Sequence, residues 1–153
     1  SVGAEFSWRY AFFDKRLALS GNATYQDFRN TSGEGAFGAF EGDRIPNQPY
    51  LFANFLAQYQ LSPDNAINGI NLFLDSRYVN EFFFNWESIS SQNRPVNPSQ
   101  FTTNIGATWS GKLYGKDLSF TGEVQNIFDA DVFDLFSVQL PGRAFFIKTN
   151  IQL

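Results

Sequence analysis

From Val2 to Phe13 the side chains alternate in kind. Val2, Ala4, Phe6, Trp8, Tyr10 and Phe12 fall on one side, and Gly3, Glu5, Ser7, Arg9 and Ala11 on the other. A period of two is that of a β-strand, whose successive side chains point to opposite faces. The pattern recurs in Leu17–Phe28, Tyr50–Leu61, Ile70–Phe82, Gln100–Gly111, Leu118–Phe128 and Arg143–Leu153. Seven such segments predict an all-β, antiparallel up-and-down meander. No segment carries a helical period. What the chain does turns on whether the apolar face looks inward to a core or outward to lipid.

The connections alternate in length. Asp14-Lys15-Arg16, Ser62–Asn68 with Pro63-Asp64-Asn65, and Tyr114-Gly115-Lys116-Asp117 read as short turns. Residues 29–48, 83–99 and 129–140 read as long loops. A meander then gathers all short turns at one end and all long loops at the other, the asymmetry of outer-membrane barrels. On the apolar face Phe6, Tyr25, Tyr78, Phe101, Phe128 and Phe145 fall toward the long-loop end. Tyr10, Phe12, Tyr59, Trp109 and Phe120 fall toward the short-turn end, with mostly aliphatic Ala23, Leu74, Ile105, Val124 and Ile147 between. Two aromatic belts around an aliphatic middle match the two lipid–water interfaces. A soluble lipocalin-like barrel, aromatics inward around a small apolar ligand, and a passive porin-type channel are the alternatives.

Composition narrows the chemistry. Aromatics make up 18 % of 153 residues, which suits pleated surfaces, and charged residues only 17 %. Net charge is −4, so a phosphate-binding surface and a nucleic-acid partner are not expected. With no Cys and no His, thiolate chemistry, His general bases and the usual zinc sites drop out. No apolar run approaches the roughly 20 residues of a membrane helix. Gly33-Glu34-Gly35-Ala36-Phe37-Gly38 spells a dinucleotide fingerprint without the strand and helix that it needs, and reads as a loop tip. Asp129, Asp131 and Asp134 lack a complete calcium loop. Nothing groups a base, a nucleophile and an orienting residue, so neither an enzyme nor a cofactor is expected.

Three short segments carry a resemblance. Gln125-Asn126-Ile127-Phe128-Asp129, Pro141-Gly142-Arg143-Ala144-Phe145 and Arg44-Ile45-Pro46-Asn47-Gln48-Pro49 stand in order on the strand map. The chain resembles the C-terminal barrel segment of TonB-dependent outer-membrane receptors. The resemblance implies that residues 1–153 are a C-terminal β-barrel segment, roughly the last third of a receptor. The plug domain, the energy-coupling segment and the rest of about 22 strands would lie outside it.

It also implies location, partners and roles. The place is the bacterial outer membrane. The partners are outer-membrane lipid, the chain's own plug and remaining strands, and an inner-membrane energy-coupling protein reached through a region not in this chain. The last partner is a scarce nutrient such as a ferric siderophore, cobalamin or an oligomer. Glu5, Arg9, Asp75, Arg77, Glu81, Glu123 and Lys148 are expected to line the lumen, with opposite charges pairing across strands. Phe37, Phe40, Arg44, Trp86 and Arg94, in the long loops, are the candidate ligand contacts, since aromatics and Arg suit flat or anionic ligands.

Overall fold

The computed structural model describes residues 1–61, 69–89, 96–133 and 138–152. Seven long strands form one antiparallel meander. They are β1 (Val2–Phe12), β2 (Leu17–Asp27), β3 (Leu51–Gln60), β4 (Gly69–Val79), β7 (Gln100–Leu113), β8 (Lys116–Gln125) and β9 (Ala144–Gln152). Each pairs only with its neighbours in the order β1-β2-β3-β4-β7-β8-β9. Between β4 and β7, β5 (Phe82–Phe83) and β6 (Val96–Asn97) make a separate small ladder. The expected turn at Ser62–Asn68 lies outside the described residues, as do Arg94, Asp134 and Leu153.

The register keeps the two faces apart. The row Phe6–Ala23–Ala53–Tyr78–Phe101 runs across five strands on the apolar face. The row Ser7–Asn22–Asn54–Arg77–Thr102 runs on the other. Large apolar side chains stay bare: Phe6 is 65 % exposed, Tyr10 62 %, Phe145 75 % and Ile147 87 %. An inward-packed barrel would bury them. The row Tyr10–Leu19–Ala57–Leu74–Ile105–Val124–Phe145 begins near the short-turn end of β1 and finishes near the long-loop end of β9. That stagger is the tilt a barrel wall requires.

Glycine is used where rings must cross the sheet. Trp8 lies over Gly21, where a Cβ would sit 2.9 Å from its Nε1. Its ring reaches Phe55 at 6.0 Å. On the polar face Phe73 lies over its partner Gly106 in the same way. The polar face is therefore not wholly polar, because Phe52, Leu56, Phe73 and Phe146 share it.

The period of two overran two strand ends and fell short at the β7–β8 hairpin. β4 stops at Val79, so Glu81 stands beyond the wall rather than on it, in the link to β5. Phe82 pairs with Asn97 and is 3 % exposed. β8 stops at Gln125, because Asn126 takes a left-handed φ of 49°. Phe128 consequently sits in the following turn, 64 % exposed. The hairpin turn after β7 is only Tyr114–Gly115, since pairing continues to Leu113↔Lys116. Both residues have positive φ, 51° and 78°, as a tight primed turn demands.

Asn126 holds the end of β8 with its side chain. Its amide donates to the Ala130 carbonyl at 2.8 Å, and its Oδ1 accepts from the Ala130 N–H at 2.9 Å. Its own N–H donates to Asn104 Oδ1 at 2.9 Å, and the residue is 6 % exposed. Asp129 Oδ1 accepts the Arg143 N–H at 2.8 Å, and a Cβ on Gly142 would collide with it. Replacing Asn126 by Ala leaves the part-buried Ala130 N–H and C=O without their side-chain partner, at a cost of about 1–3 kcal/mol. The expected outcome is a lower unfolding temperature for the assembled receptor carrying Asn126→Ala, measured by thermal melting in detergent.

Candidate functional site

The long-loop end is where chemistry gathers. Residues 28–50 leave β2, form a short 3-10 turn at Gly38–Phe40, and return to β3. A bridge between Arg29 and Arg44 zips the loop near its base. The segment Arg44–Pro49 is stitched down by backbone. The Ile45 N–H donates to Phe28 at 2.9 Å, and the Asn47 N–H to Phe83 at 2.8 Å. Gln26 Nε2 donates to the Pro49 carbonyl at 2.9 Å.

Four of the five candidate ligand residues are described, and the fold brings three together. Trp86 stacks flat on Phe40, with centroids 4.9 Å apart and planes 1° apart. Phe37 meets the same indole at 5.6 Å, tilted by 42°. Phe37 remains 60 % exposed. Arg44 stands apart from this stack. Its guanidinium lies 4.3 Å from the centre of the Tyr50 ring, and its Nε donates to Asp27 Oδ1 at 3.1 Å. Arg94 lies outside the described residues.

Charges tie the same two loops together. Asp27 takes Arg44 on one oxygen and Arg29 Nε on the other at 2.9 Å. Arg29 also reaches Glu87 Oε2 at 3.3 Å, and that oxygen accepts the Arg44 N–H. Asp43 Oδ2 accepts both the N–H and the hydroxyl of Ser88. The hydrogen bond to Asp27 pushes the Arg29 guanidinium further above its ordinary range, so it stays charged. Periodicity could not reveal this ion network. The sequence signal was only a crowd of Arg and acid at strand ends.

The expected lumen residues land as follows. Glu5, Arg9, Asp75, Arg77, Glu123 and Lys148 stand on the polar face of β1, β4, β8 and β9. The expected cross-strand ion pairs among them are not seen among the described residues. Instead Asp75 accepts from Asn104 at 3.5 Å and Glu123 from Gln125 at 2.9 Å. The register explains this, because Arg77 faces Asn54 and Thr102, and Lys148 faces Thr121. Among the described residues one cross-strand ion pair does stand on that face, Lys112–Asp117 at 3.1 Å next to the short turn, and the others lie around the first and second loops.

The described parts of the third long loop, residues 126–133 and 138–143, lie over the polar face. Gln100 clasps Phe133 through two 3.1 Å hydrogen bonds, one each way, and the Leu140 N–H donates to the Val132 carbonyl at 2.8 Å. Beneath the loop opens a basin of about 670 Å³, floored by Asn54, Asp75, Arg77 and Asn104 and lipped by Val132, Phe133 and Leu140. Pro49, Asn126, Pro141 and Gly142 stand on its rim, one or two from each segment that carried the resemblance. No group of acids among the described residues is arranged to hold a metal ion.

A tilted antiparallel wall, with a bare aromatic face outside and long stitched loops at one end only, defines a barrel wall of the outer-membrane kind. A model of the family described as TonB dependent receptor-like, beta-barrel matches residues 1–127, and the chain belongs to that family. Proteins of this family are outer-membrane receptors of Gram-negative bacteria. Among solved structures, the ferric preacinetobactin receptor BauA from Acinetobacter baumannii shares the fold. It has a TM-score of 0.76 and 18 % identity, over 97 % of this chain and 21 % of that one. The chain thus spans about a fifth of that receptor's length. No curated protein matches the sequence.

Replacing Trp86 by Ala removes two ring contacts, each worth about 0.5–1.5 kcal/mol. The expected outcome is faster amide hydrogen exchange throughout residues 28–50, with the β2–β3 ladder unchanged.

Proposed function

We propose that this chain is the C-terminal wall of an energy-coupled outer-membrane receptor that imports a scarce nutrient, a ferric chelate in the first instance. The observation that carries the reading is the division of the sheet. One face exposes Phe6, Tyr10, Phe12, Tyr25, Tyr59, Phe101, Phe120 and Phe145. The other carries amides, hydroxyls and charged side chains, Lys112 and Asp117 among them. A wall of this kind belongs between lipid and a hydrated lumen. Trp8, Phe55, Tyr78 and Trp109 share that face. The bent-over third loop and the stitched first and second loops then form the outer mouth.

In this reading Glu5, Arg9, Asp75, Arg77, Glu123 and Lys148 face the plug or the passing ligand. Energy reaches the receptor through a coupling segment elsewhere in the protein. The ferric chelate is favoured over cobalamin or an oligomer because the structural neighbour is a ferric siderophore receptor. Phe37 supplies the most exposed ring of the loop stack for a ligand. Arg44 holds the loops through Asp27 and Tyr50 as well as standing near the mouth.

The test is iron uptake by cells in which the complete receptor is present, deleted, or restored. Under iron limitation, deletion is expected to abolish uptake of at least one labelled ferric chelate, and the restored gene to recover it. Unchanged uptake of every chelate after deletion would sink the reading. Phe37→Ala is expected to weaken chelate binding by a few-fold, on the order of one aromatic contact, measured by fluorescence titration.

A further inference from the structure

We infer that the short-turn end of the wall holds a seat for one anionic phospholipid, its phosphate on Lys116 and its acyl chains against the Trp109–Phe120 ring pair. The inference rests on the reading above of this face as the lipid side.

Charge is nearly absent from that side. Among the described residues of the seven strands, its positions hold two charged side chains, Asp27 at the outer end of β2 and Lys116 at the inner end of β8. Asp27 is neutralised by Arg29 and Arg44. Lys116 is not neutralised. Its sequence neighbour Asp117 stands on the other face and is taken by Lys112 at 3.1 Å. Among the described residues no carboxylate lies within ion-pair distance of the Lys116 ammonium. A bare lysine at a membrane surface favours anionic over neutral lipid by about fivefold.

The hairpin around Lys116 suits the same layer. Tyr114 is 95 % exposed and holds a left-handed φ of 51°. Asn, Asp or Gly is the usual residue there, because other side chains are crowded in that conformation. The turn alone does not account for a tyrosine. A ring with a hydroxyl at its tip suits the boundary between hydrocarbon and water. Further in, Trp109 and Phe120 stand opposite each other and stack, with centroids 5.9 Å apart. Phe120 lies four residues along β8 from Lys116, about 13 Å of strand. Tilt turns that into roughly 10 Å of depth. The ammonium then lies among the phosphates while the rings lie against the acyl chains. The apolar strip continues on β9 through Ile151 and Ile147, 59 % and 87 % exposed. A phospholipid supplies both halves of this seat, an anion for the cation and hydrocarbon for the strip.

The experiment uses the complete receptor in phosphatidylcholine vesicles. These are doped with a photoreactive phosphatidylglycerol or, separately, with a phosphatidylcholine carrying the same photoreactive group. Labelling is read along the chain by mass spectrometry. In wild type, residues 109–120 are expected to take about fivefold more of the phosphatidylglycerol probe, and high salt to shrink the difference. Lys116→Gln brings the two probes level there, and Lys116→Arg keeps the preference. Lys112→Gln, on the other face of the same hairpin, leaves it unchanged. Labelling of residues 144–152 by the phosphatidylcholine probe, equal in every variant, shows the wall intact. Equal labelling of residues 109–120 by the two probes in wild type overturns the seat, as does a preference that survives Lys116→Gln. Crosslinks from this hairpin to a second receptor in place of lipid also overturn it. Absence of label from either probe on β1 and β9 would instead refute the lipid-facing reading itself.

Discussion

Every peptide group in the wall must find its partner within the wall. Hydrocarbon offers no water to an unpaired N–H or C=O, so a strand that crosses it can do so only beside other strands. The continuous ladders from β1 to β9 satisfy that demand, and the rest of the architecture follows from it. Strands must be long and uninterrupted, which forces irregular backbone to the two ends. Side chains must alternate between lipid and lumen, which sorts aromatics from amides. Where a ring has to cross from one strand to another, as Trp8 does, the neighbour becomes glycine so that the ladder stays intact.

The loops meet the same demand by other means. Outside the sheet, backbone groups are satisfied by side chains and by each other. Asn126 substitutes for a strand partner at Ala130, Asp129 at Arg143, and Gln100 at Phe133. The first and second loops add charge and ring stacking, with Asp27 shared by two guanidiniums and Trp86 by two phenyl rings. Each exposed ion pair is worth little alone. Set together with the rings, they join segments that are far apart in sequence.

The strands were legible because a period of two is a local signal that burial on one face enforces. All seven long strands were placed within a few residues. The errors have one cause. Phe82 and Phe128 keep the parity of the strand before them, yet Phe82 belongs to a small ladder and Phe128 to a turn set by the left-handed Asn126. Parity says which face a residue would take but not where pairing stops. The loop contacts were legible only as residue types. Phe37, Phe40 and Trp86 are brought together by the return of two separate loops, and the Asp27 network by strand ends that adjoin only in the fold. The named lumen charges do not pair with one another because register sets Arg77 opposite neutral residues, whereas Lys112 and Asp117, which register does set opposite, do pair.

The stagger of the hydrogen-bonded rows changes how the inner surface is met. Side chains that are neighbours around the circumference do not share a depth. Nothing moving straight down the axis passes through a ring of equivalent contacts. The inner surface is a spiral stair whose treads come from successive strands, with charge, amide, hydroxyl and phenyl set at different depths.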